Sequence, residues 1–274
     1  MPTIDRDSVN RLYIDFLETA EKKRHWSIFD DIPWDALDGA DIADNTANSI
    51  EIFCTEELYV PDYTIGGLTM LRTMFGLAWF QTRWAFEESL HGLVFRNYLT
   101  RSGMRSETDL AAIETRVSDQ AWAMPYETPR EMACYGAIQE GATYTAYKAQ
   151  KDKAAAAGDS VLEAIFFHVG RDEAAHGGFY RAIVGLELSR DRQGTIADLA
   201  RVLATFKMPG DGLIPDYRNR LANSGAGISA RAFLERVVWP LLTTLQIGRA
   251  EIKTALKRHA AYLAAGISIP SFAS

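Results

Sequence analysis

The sequence predicts an all-α fold, an antiparallel helix bundle with additional flanking helices, formed by a single domain over residues 1–274. Several helical candidates extend to roughly 25–35 residues, well above the mean helix length. No segment shows the sustained alternation of apolar and polar residues that is typical of strands. No apolar run approaches the length of a membrane span. Long helices with apolar stripes and no membrane-spanning run are typical of a helix bundle.

Turn-forming residues set the limits of the predicted helices. Residues 128–131 (Thr-Pro-Arg-Glu) match a capped helix start, and Gly158 matches a helix stop. We expect Ser160 to cap the next helix. Pro61 indicates a kink or stop, and Pro240 indicates an interruption in the last long helix. The predicted helices cover residues 6–24, 41–59, 64–100, 107–122, 129–157, 160–189 and 229–265, with loops over 25–38 and 210–227.

Composition and charge limit the classes of function. The chain has 274 residues, 47% of them hydrophobic and 24% charged, with a formal net charge of −7. A negative net charge argues against nucleic acid as the main partner. The N-terminal segment is polar and has no apolar signal core, and Cys54 and Cys134 show no CxxC-type spacing. We therefore expect a cytoplasmic protein with two reduced thiols.

Two short motifs share the pattern Glu-x-x-His, namely Glu88-x-x-His91 and Glu173-x-x-His176. Residues three apart share one face of a helix, so each motif directs a carboxylate and an imidazole to the same side. Iron and manganese bind such mixed oxygen and nitrogen ligands. Solvated helix faces are the alternative explanation. Apolar residues before each motif favour a position inside the bundle, where an unpaired carboxylate is costly and a metal ion would compensate it.

Further glutamates fit the pattern of a two-metal bundle, which takes one Glu from each of two helices and Glu-x-x-His from each of two others. Glu140 lies in the apolar segment 134–143, and Glu56 lies in the similar segment 52–59. Glu57 stands beside Glu56, so spacing alone leaves the choice between them open. The predicted metal ligands are Glu56, Glu88, His91, Glu140, Glu173 and His176.

These motifs and their neighbours resemble the soluble acyl-[acyl-carrier-protein] desaturases, the plant stearoyl type and its actinobacterial relatives. The resemblance covers about residues 20–215 and implies a ferritin-like di-iron fold. In that family the first Glu of the Thr-Glu-Glu segment is the ligand, which implies Glu56. The matching segments are 55–57 with Pro61, 87–92 (Glu-Glu-Ser-Leu-His-Gly), 139–143 (Gln-Glu-Gly-Ala-Thr), 172–176 (Asp-Glu-Ala-Ala-His) and 208–210 (Met-Pro-Gly).

The resemblance implies an O₂- and electron-dependent desaturase that inserts a cis double bond into an acyl chain carried on acyl carrier protein. It implies two iron ions, with manganese as an alternative metal, a ferredoxin-type electron donor and a homodimer. A di-iron hydroxylase or N-oxygenase with the same site is a second hypothesis. A non-enzymatic ferritin-like metal-binding bundle is a third.

The resemblance also implies roles for residues around the metals. Thr143 would act in oxygen or proton handling, although a threonine hydrogen-bonded to its own helix explains the spacing equally well. Asp172 would accept a histidine N–H. Trp26, with Asp172 and His91, would belong to an electron route, or would be an aromatic residue of the core.

The substrate cavity and the carrier-docking surface are further expectations of the resemblance. The missing side chain of Gly136, one turn before Glu140, would leave space for the acyl chain. The cavity residues are Thr69, Met70, Met132, Ala133 and Gly136. An acidic carrier protein needs a basic docking patch, and the candidates are Lys22, Lys23 and Arg24, or Arg181, Arg190, Arg192, Lys207, Arg218 and Arg220.

Overall fold

The computed structural model describes residues 4–37 and 43–264, and all regular secondary structure within them is helical. The all-α prediction is therefore confirmed. A π-helical turn, Ala20–Arg24, extends the first helix, and a second π-helical turn, Leu234–Val238, follows the tenth. The α-helices are α1 (Arg6–Thr19), α2 (Asp44–Glu57), α3 (Val60–Leu71), α4 (Phe75–Arg101), α5 (Glu107–Asp119), α6 (Pro129–Ala157), α7 (Ser160–Arg190), α8 (Arg192–Thr205), α9 (Tyr217–Ser224), α10 (Ala230–Phe233), α11 (Trp239–Thr244) and α12 (Arg249–Ala264).

Helices α2, α4, α6 and α7 form the central bundle. The short turn after α6 makes α6 and α7 antiparallel neighbours. Helix α4 runs antiparallel to α7, because the Tyr98 hydroxyl near the end of α4 donates to Asp159, just before α7, at 2.6 Å. Helix α2 runs antiparallel to α4, because Asn48 in its first half accepts from the Arg105 guanidinium, just after α4, at 2.7 Å. Helix α1 packs on α4 and α7, and α8 packs on α6 and α12.

Capping residues define both ends of α6 as the sequence predicts. The Thr128 hydroxyl accepts from the backbone N–H of Glu131, and the Glu131 carboxylate accepts from the backbone N–H of Thr128. Gly158 ends the helix with φ 76°, a left-handed conformation that glycine adopts without strain. The prediction of Ser160 as the next cap is wrong, because the Asp159 carboxylate accepts from the Leu162 N–H at 2.8 Å.

The predicted helix over 64–100 is two helices in the structure. Helix α3 ends at Leu71, and α4 begins at Phe75. Pro61 lies in the first turn of α3 and starts that helix, since a residue in the first turn needs no N–H donor. At the start of α4, Gly76 packs so closely on α1 that a Cβ there would lie 2.8 Å from Asn10 Oδ1.

The C-terminal part also differs from the prediction. Helix α9 lies inside the expected loop 210–227, and α8 had no predicted counterpart. The predicted helix over 229–265 is interrupted after Thr244, where Gln246 adopts φ 54°, and not at Pro240. Pro240 lies in the first turn of α11, directly after a π-helical turn, where its missing N–H is accommodated. Residue 265 lies outside the described residues.

Two apolar clusters fill the bundle on either side of a buried polar layer. One contains Phe80, Ile138 and Val184, and the other contains Phe95 and Phe166. Along α4, the residues between these clusters include the first Glu-x-x-His motif. Among the described residues, no helix combines the length and the apolar character needed to cross a membrane.

Candidate metal centre

Two groups of side chains in the buried polar layer have the composition of metal sites. The potential ligand atoms within each group lie within 4.8 Å of one another. Both groups contain Glu88 and Glu173, so the two candidate metal positions share these two carboxylates. The first group is Glu57, Glu88, His91 and Glu173, and the second is Glu88, Glu140, Glu173 and His176.

The Nδ1 atoms of both histidines face the carboxylates. Nδ1 of His91 lies 3.0 Å from Glu88 Oε2 and 3.3 Å from Glu173 Oε1. Nδ1 of His176 lies 3.1 Å from Glu88 Oε1, and 3.9 Å from both Glu140 Oε2 and Glu173 Oε2. Both imidazoles are fully buried. The structure thus brings together Glu88, His91, Glu140, Glu173 and His176, five of the six predicted residues.

Glu57 occupies the place predicted for Glu56, so that expectation is corrected. The Glu56 carboxylate lies away from the cluster, where it accepts from the Tyr217 hydroxyl at 2.6 Å and from the backbone N–H of Gly210. Successive residues of a helix point about 100° apart, so only one of the two can face the bundle axis. Gly92 allows this approach, because a Cβ there would lie 3.1 Å from Glu57 Cβ.

The second ring nitrogen of each histidine, Nε2, contacts the acid that directly precedes the other Glu-x-x-His motif. Nε2 of His91 lies 3.3 Å from Asp172 Oδ2, and Nε2 of His176 lies 2.7 Å from Glu87 Oε2. Arg24 donates to both of these carboxylates, at 3.2 Å to Glu87 and at short range to Asp172. Such contacts fix the orientation of a histidine so that Nδ1 stays directed at a metal.

The sequence did not predict that Arg24 and Glu87 support the histidines of the cluster. Arg24 was a candidate for carrier docking, but its side chain is only 5% exposed, so it cannot contribute to a docking surface. Glu87 could have been found from the sequence, because it precedes its Glu-x-x-His motif as Asp172 precedes the other. No comparable pattern marks Arg24.

The cluster concentrates negative charge where water is excluded. Burial raises the pKa of Glu57 well above its usual range, and the nearby charge of Glu88 adds to the effect. Burial likewise raises the pKa of Glu140, with a further contribution from Glu173. Burial would lower the pKa of His91, but the charge of Glu88 outweighs it and raises that pKa well above the usual value. Divalent cations would compensate this charge and displace the protons.

The free ligand atoms fit metal ions. Oε2 of Glu140, Oε2 of Glu173 and Nδ1 of His176 are buried and make no hydrogen bond within the described part of the chain. The other oxygen of Glu140 accepts from Trp84 Nε1 at 2.9 Å, so the carboxylate is oriented with Oε2 toward the cluster. Buried polar atoms without a partner are costly, and a carboxylate–imidazole set suits iron or manganese.

The structure also places the other predicted site residues. The Trp26 indole N–H donates to Asp172 at 2.8 Å, and its ring stacks on His168 with centroids 5.1 Å apart. The Thr143 hydroxyl donates to the Gln139 carbonyl of its own helix at 3.1 Å. Thr143 also lines a cavity beside the cluster. The contacts of Trp26 and Thr143 are compatible with the expected roles and with the structural alternatives, so the roles of both residues stay predictions.

Only part of the predicted cavity lining lies at the cavity. Met132 and Gly136 line a space of about 70 Å³ next to Glu140. Thr69 is exposed on α3, while Met70 and Ala133 pack in the hydrophobic core. The space left by the missing side chain of Gly136 is occupied, because a Cβ there would lie 2.5 Å from the ring of Tyr180.

The fold and the cluster define a class of protein, an all-α bundle with a buried carboxylate–histidine site able to hold two metal ions. Residues 62–226 match the family model for fatty acid desaturases. The chain therefore belongs to the type 2 fatty acid desaturase family.

Named relatives come from Mycobacterium tuberculosis. The protein named acyl-[acyl-carrier-protein] desaturase DesA1, from the strains CDC 1551 and H37Rv, is 25% identical to this chain over 186 residues. The match covers 64% of this chain and 54% of DesA1, so the chain spans about half the length of these curated relatives. The X-ray structure of the acyl-ACP desaturase DesA2 from strain H37Rv superposes on this chain with a TM-score of 0.67. The two sequences are 20% identical, and the superposition covers 92% of this chain and 98% of the DesA2 chain. This likeness supports the ferritin-like fold.

Proposed function

We propose that this protein is an O₂- and electron-dependent di-iron desaturase that inserts a cis double bond into an acyl chain carried on acyl carrier protein. The observation that carries this proposal is the pair of ligand groups joined by Glu88 and Glu173, next to a cavity. The desaturase family and the names of the mycobacterial relatives support the choice of reaction and carrier.

The balanced reaction defines what the protein must provide. O₂ accepts four electrons and becomes two waters; two electrons come from the adjacent C–H bonds and two from an external donor, with two protons. Bound iron would supply the oxidising power, since no side chain can attack an unactivated methylene. A ferredoxin-type protein is the proposed donor, with manganese as the alternative metal.

The residues of the cluster would bind the metal ions, and their neighbours would orient the ligands. Glu57, Glu88, His91, Glu140, Glu173 and His176 would be the ligands, and Glu88 and Glu173 belong to both ligand groups. Asp172 and Glu87 would orient the two histidines through Nε2. The contacts from Trp26 through Asp172 to His91 support an electron route into the cluster.

The substrate would reach the metals through a groove on the surface. This groove, of about 750 Å³, lies among α6, α8, α9 and α10, and its lining includes Lys207 and Arg218. It shares Glu56, Thr143 and Met208 with the inner cavity, so the two spaces adjoin. Thr143, at the junction, is the proposed residue for proton or oxygen handling. A cytoplasmic homodimer is the proposed form.

The test is incubation of iron-loaded protein with a panel of acyl carrier proteins, a reductase, ferredoxin and O₂, followed by mass spectrometry of the acyl group. Loss of two hydrogens is the expected result. Gain of one oxygen atom would instead support a hydroxylase or N-oxygenase. No change on any carrier-bound chain would count against both enzymes. The variant Glu140→Ala with Glu173→Ala is the control, and it should be inactive.

A further inference from the structure

The cavity beside the carboxylate–histidine cluster is lined at one end by a hydrogen-bonded pair, Gln81 and Tyr180. The Tyr180 hydroxyl donates to Gln81 Oε1 at 3.2 Å, and the residues are 5% and 1% exposed. Gln81 lies seven residues before Glu88 on α4, and Tyr180 lies seven residues after Glu173 on α7. Since α4 and α7 are antiparallel, both lie on the same level of the bundle, about 10 Å from the glutamates along the axis. The pair therefore spans the bundle beyond the metal layer.

Close packing holds this pair in place. The Tyr180 ring presses on the backbone of Gly136, where a Cβ would be 2.5 Å from the ring, and it packs edge-on against Phe80 with centroids 5.1 Å apart. The Gln81 amide presses on Gly67 of α3, where a Cβ would lie 2.9 Å from Cδ. Two glycines on two helices thus make room for the pair. The space that these glycines create belongs to side chains of the protein and not to a ligand.

The volume left for a ligand past the metals is small. The inner cavity measures about 70 Å³, whereas a cavity that binds benzene measures about 150 Å³ and most ligand pockets about 300–1,000 Å³. The outer groove, of about 750 Å³, is in the second range. A long acyl chain therefore finds space on the entry side of the metals, but not beyond them.

We propose that the protein acts on acyl groups with only a short segment beyond the oxidised carbons, and that Tyr180 and Gln81 determine this limit. The proposal rests on the proposed desaturase function and names its substrate class, short or medium chains on a carrier. Tyr180 and Gln81 are specificity-determining residues, and the chemistry itself does not involve them.

The test compares hexanoyl, decanoyl and octadecanoyl groups on the same carrier protein with iron-loaded enzyme. For the unmodified protein, kcat/KM should be at least about tenfold higher for one of the shorter groups than for octadecanoyl, since one surplus methylene in a closed pocket costs about tenfold or more. Tyr180→Ala should raise kcat/KM for octadecanoyl, relative to the shorter groups, by about tenfold. Tyr180→Phe keeps the ring and should leave the preference unchanged. Ile183→Ala, one turn further along α7 in the core, controls for loss of packing and should also leave it unchanged.

A second measurement separates specificity from catalysis. Binding of each acyl carrier protein to metal-free protein, followed by fluorescence anisotropy, should show the same order of chain lengths and the same shift in Tyr180→Ala. If Tyr180→Ala does not fold, Gln81→Ala opens the same end and should give the shift. Equal turnover of octadecanoyl and hexanoyl groups by the unmodified protein would overturn the inference and leave the desaturase function intact. Absence of turnover for every chain would overturn the function itself.

Discussion

Glu87 accepts a hydrogen bond at 2.7 Å from Nε2 of His176, although the two residues belong to different Glu-x-x-His motifs on different helices. The same relationship recurs between Asp172 and His91, at 3.3 Å. Each acid before a motif therefore supports the histidine of the opposite motif. This exchange ties α4 to α7 and directs both Nδ1 atoms toward the carboxylates between them.

Replacement of Glu87 by alanine should weaken metal binding. The loss of the hydrogen bond to Nε2 frees the imidazole of His176, and such supporting contacts change metal affinity by about 10–100-fold. A competition titration with a chelator, using ferrous iron, measures the effect. Glu18→Ala, an exposed position on α1, should bind metal as the unmodified protein does. Equal affinity in Glu87→Ala would contradict the role given to this carboxylate.

The neighbouring glutamates of α2 offer a matched pair of variants. Glu57→Gln removes a charged ligand from the first group and should reduce the iron content of reconstituted protein by about half. Glu56→Gln should leave iron content unchanged, because Glu56 is bonded to Tyr217 and Gly210. Elemental analysis of the two variants decides between them. The reverse result would restore Glu56 as the ligand.

Replacement of Arg24 by methionine should destabilise the metal-free protein. Arg24 is the cation between two buried carboxylates, Glu87 and Asp172, and removal of one partner from a buried ion pair costs about 3–5 kcal/mol. Urea unfolding followed by circular dichroism measures the loss. Arg11→Met removes an exposed arginine near Asp5 and should cost less than about 1 kcal/mol. If Arg24→Met lowers the free energy of unfolding by less than about 1 kcal/mol as well, the ion pairs of Arg24 with Glu87 and Asp172 contribute little to stability.

The two cysteines should be inert in the folded protein. Burial raises the pKa of the Cys54 thiol to about 12, and it raises that of Cys134 even further. A thiol with that pKa is about one part in 10⁴ thiolate at pH 8, and the thiolate is the reactive form. Labelling with a thiol reagent should therefore be absent at pH 8 and should reach both thiols in denaturant. Rapid labelling of the native chain would contradict the buried placement.

Some features were predictable because local chemistry determines them. The capping box at Thr128 and the left-handed Gly158 follow from residue types at fixed spacing, and both ends of α6 agree with the prediction. The shared direction of the glutamate and histidine in each Glu-x-x-His motif was predictable for the same reason, because residues three apart lie on one face of a helix. The order of the carboxylates then indicated a two-metal bundle before any contact was known.

Other features depend on contacts between distant segments. The choice of Glu57 over Glu56 is set by the rotation of α2 against Gly92, and that rotation leaves no trace in the local sequence. Arg24 resembles a surface cation in the sequence and becomes buried only because two acids from α4 and α7 meet it. Gly136 was expected to make space for substrate, but Tyr180 of another helix occupies that space. Each of these errors concerns which partner a side chain meets across the bundle.

We propose that this bundle holds two metal ions in two ligand groups that share Glu88 and Glu173. Elemental analysis of anaerobically reconstituted protein, after removal of loose metal, tests it most directly. We expect about two iron ions per chain in the unmodified protein and fewer than one in the folded double variant Glu88→Ala with Glu173→Ala. Less than one ion per chain in the unmodified protein, or unchanged iron in the double variant, would contradict the account.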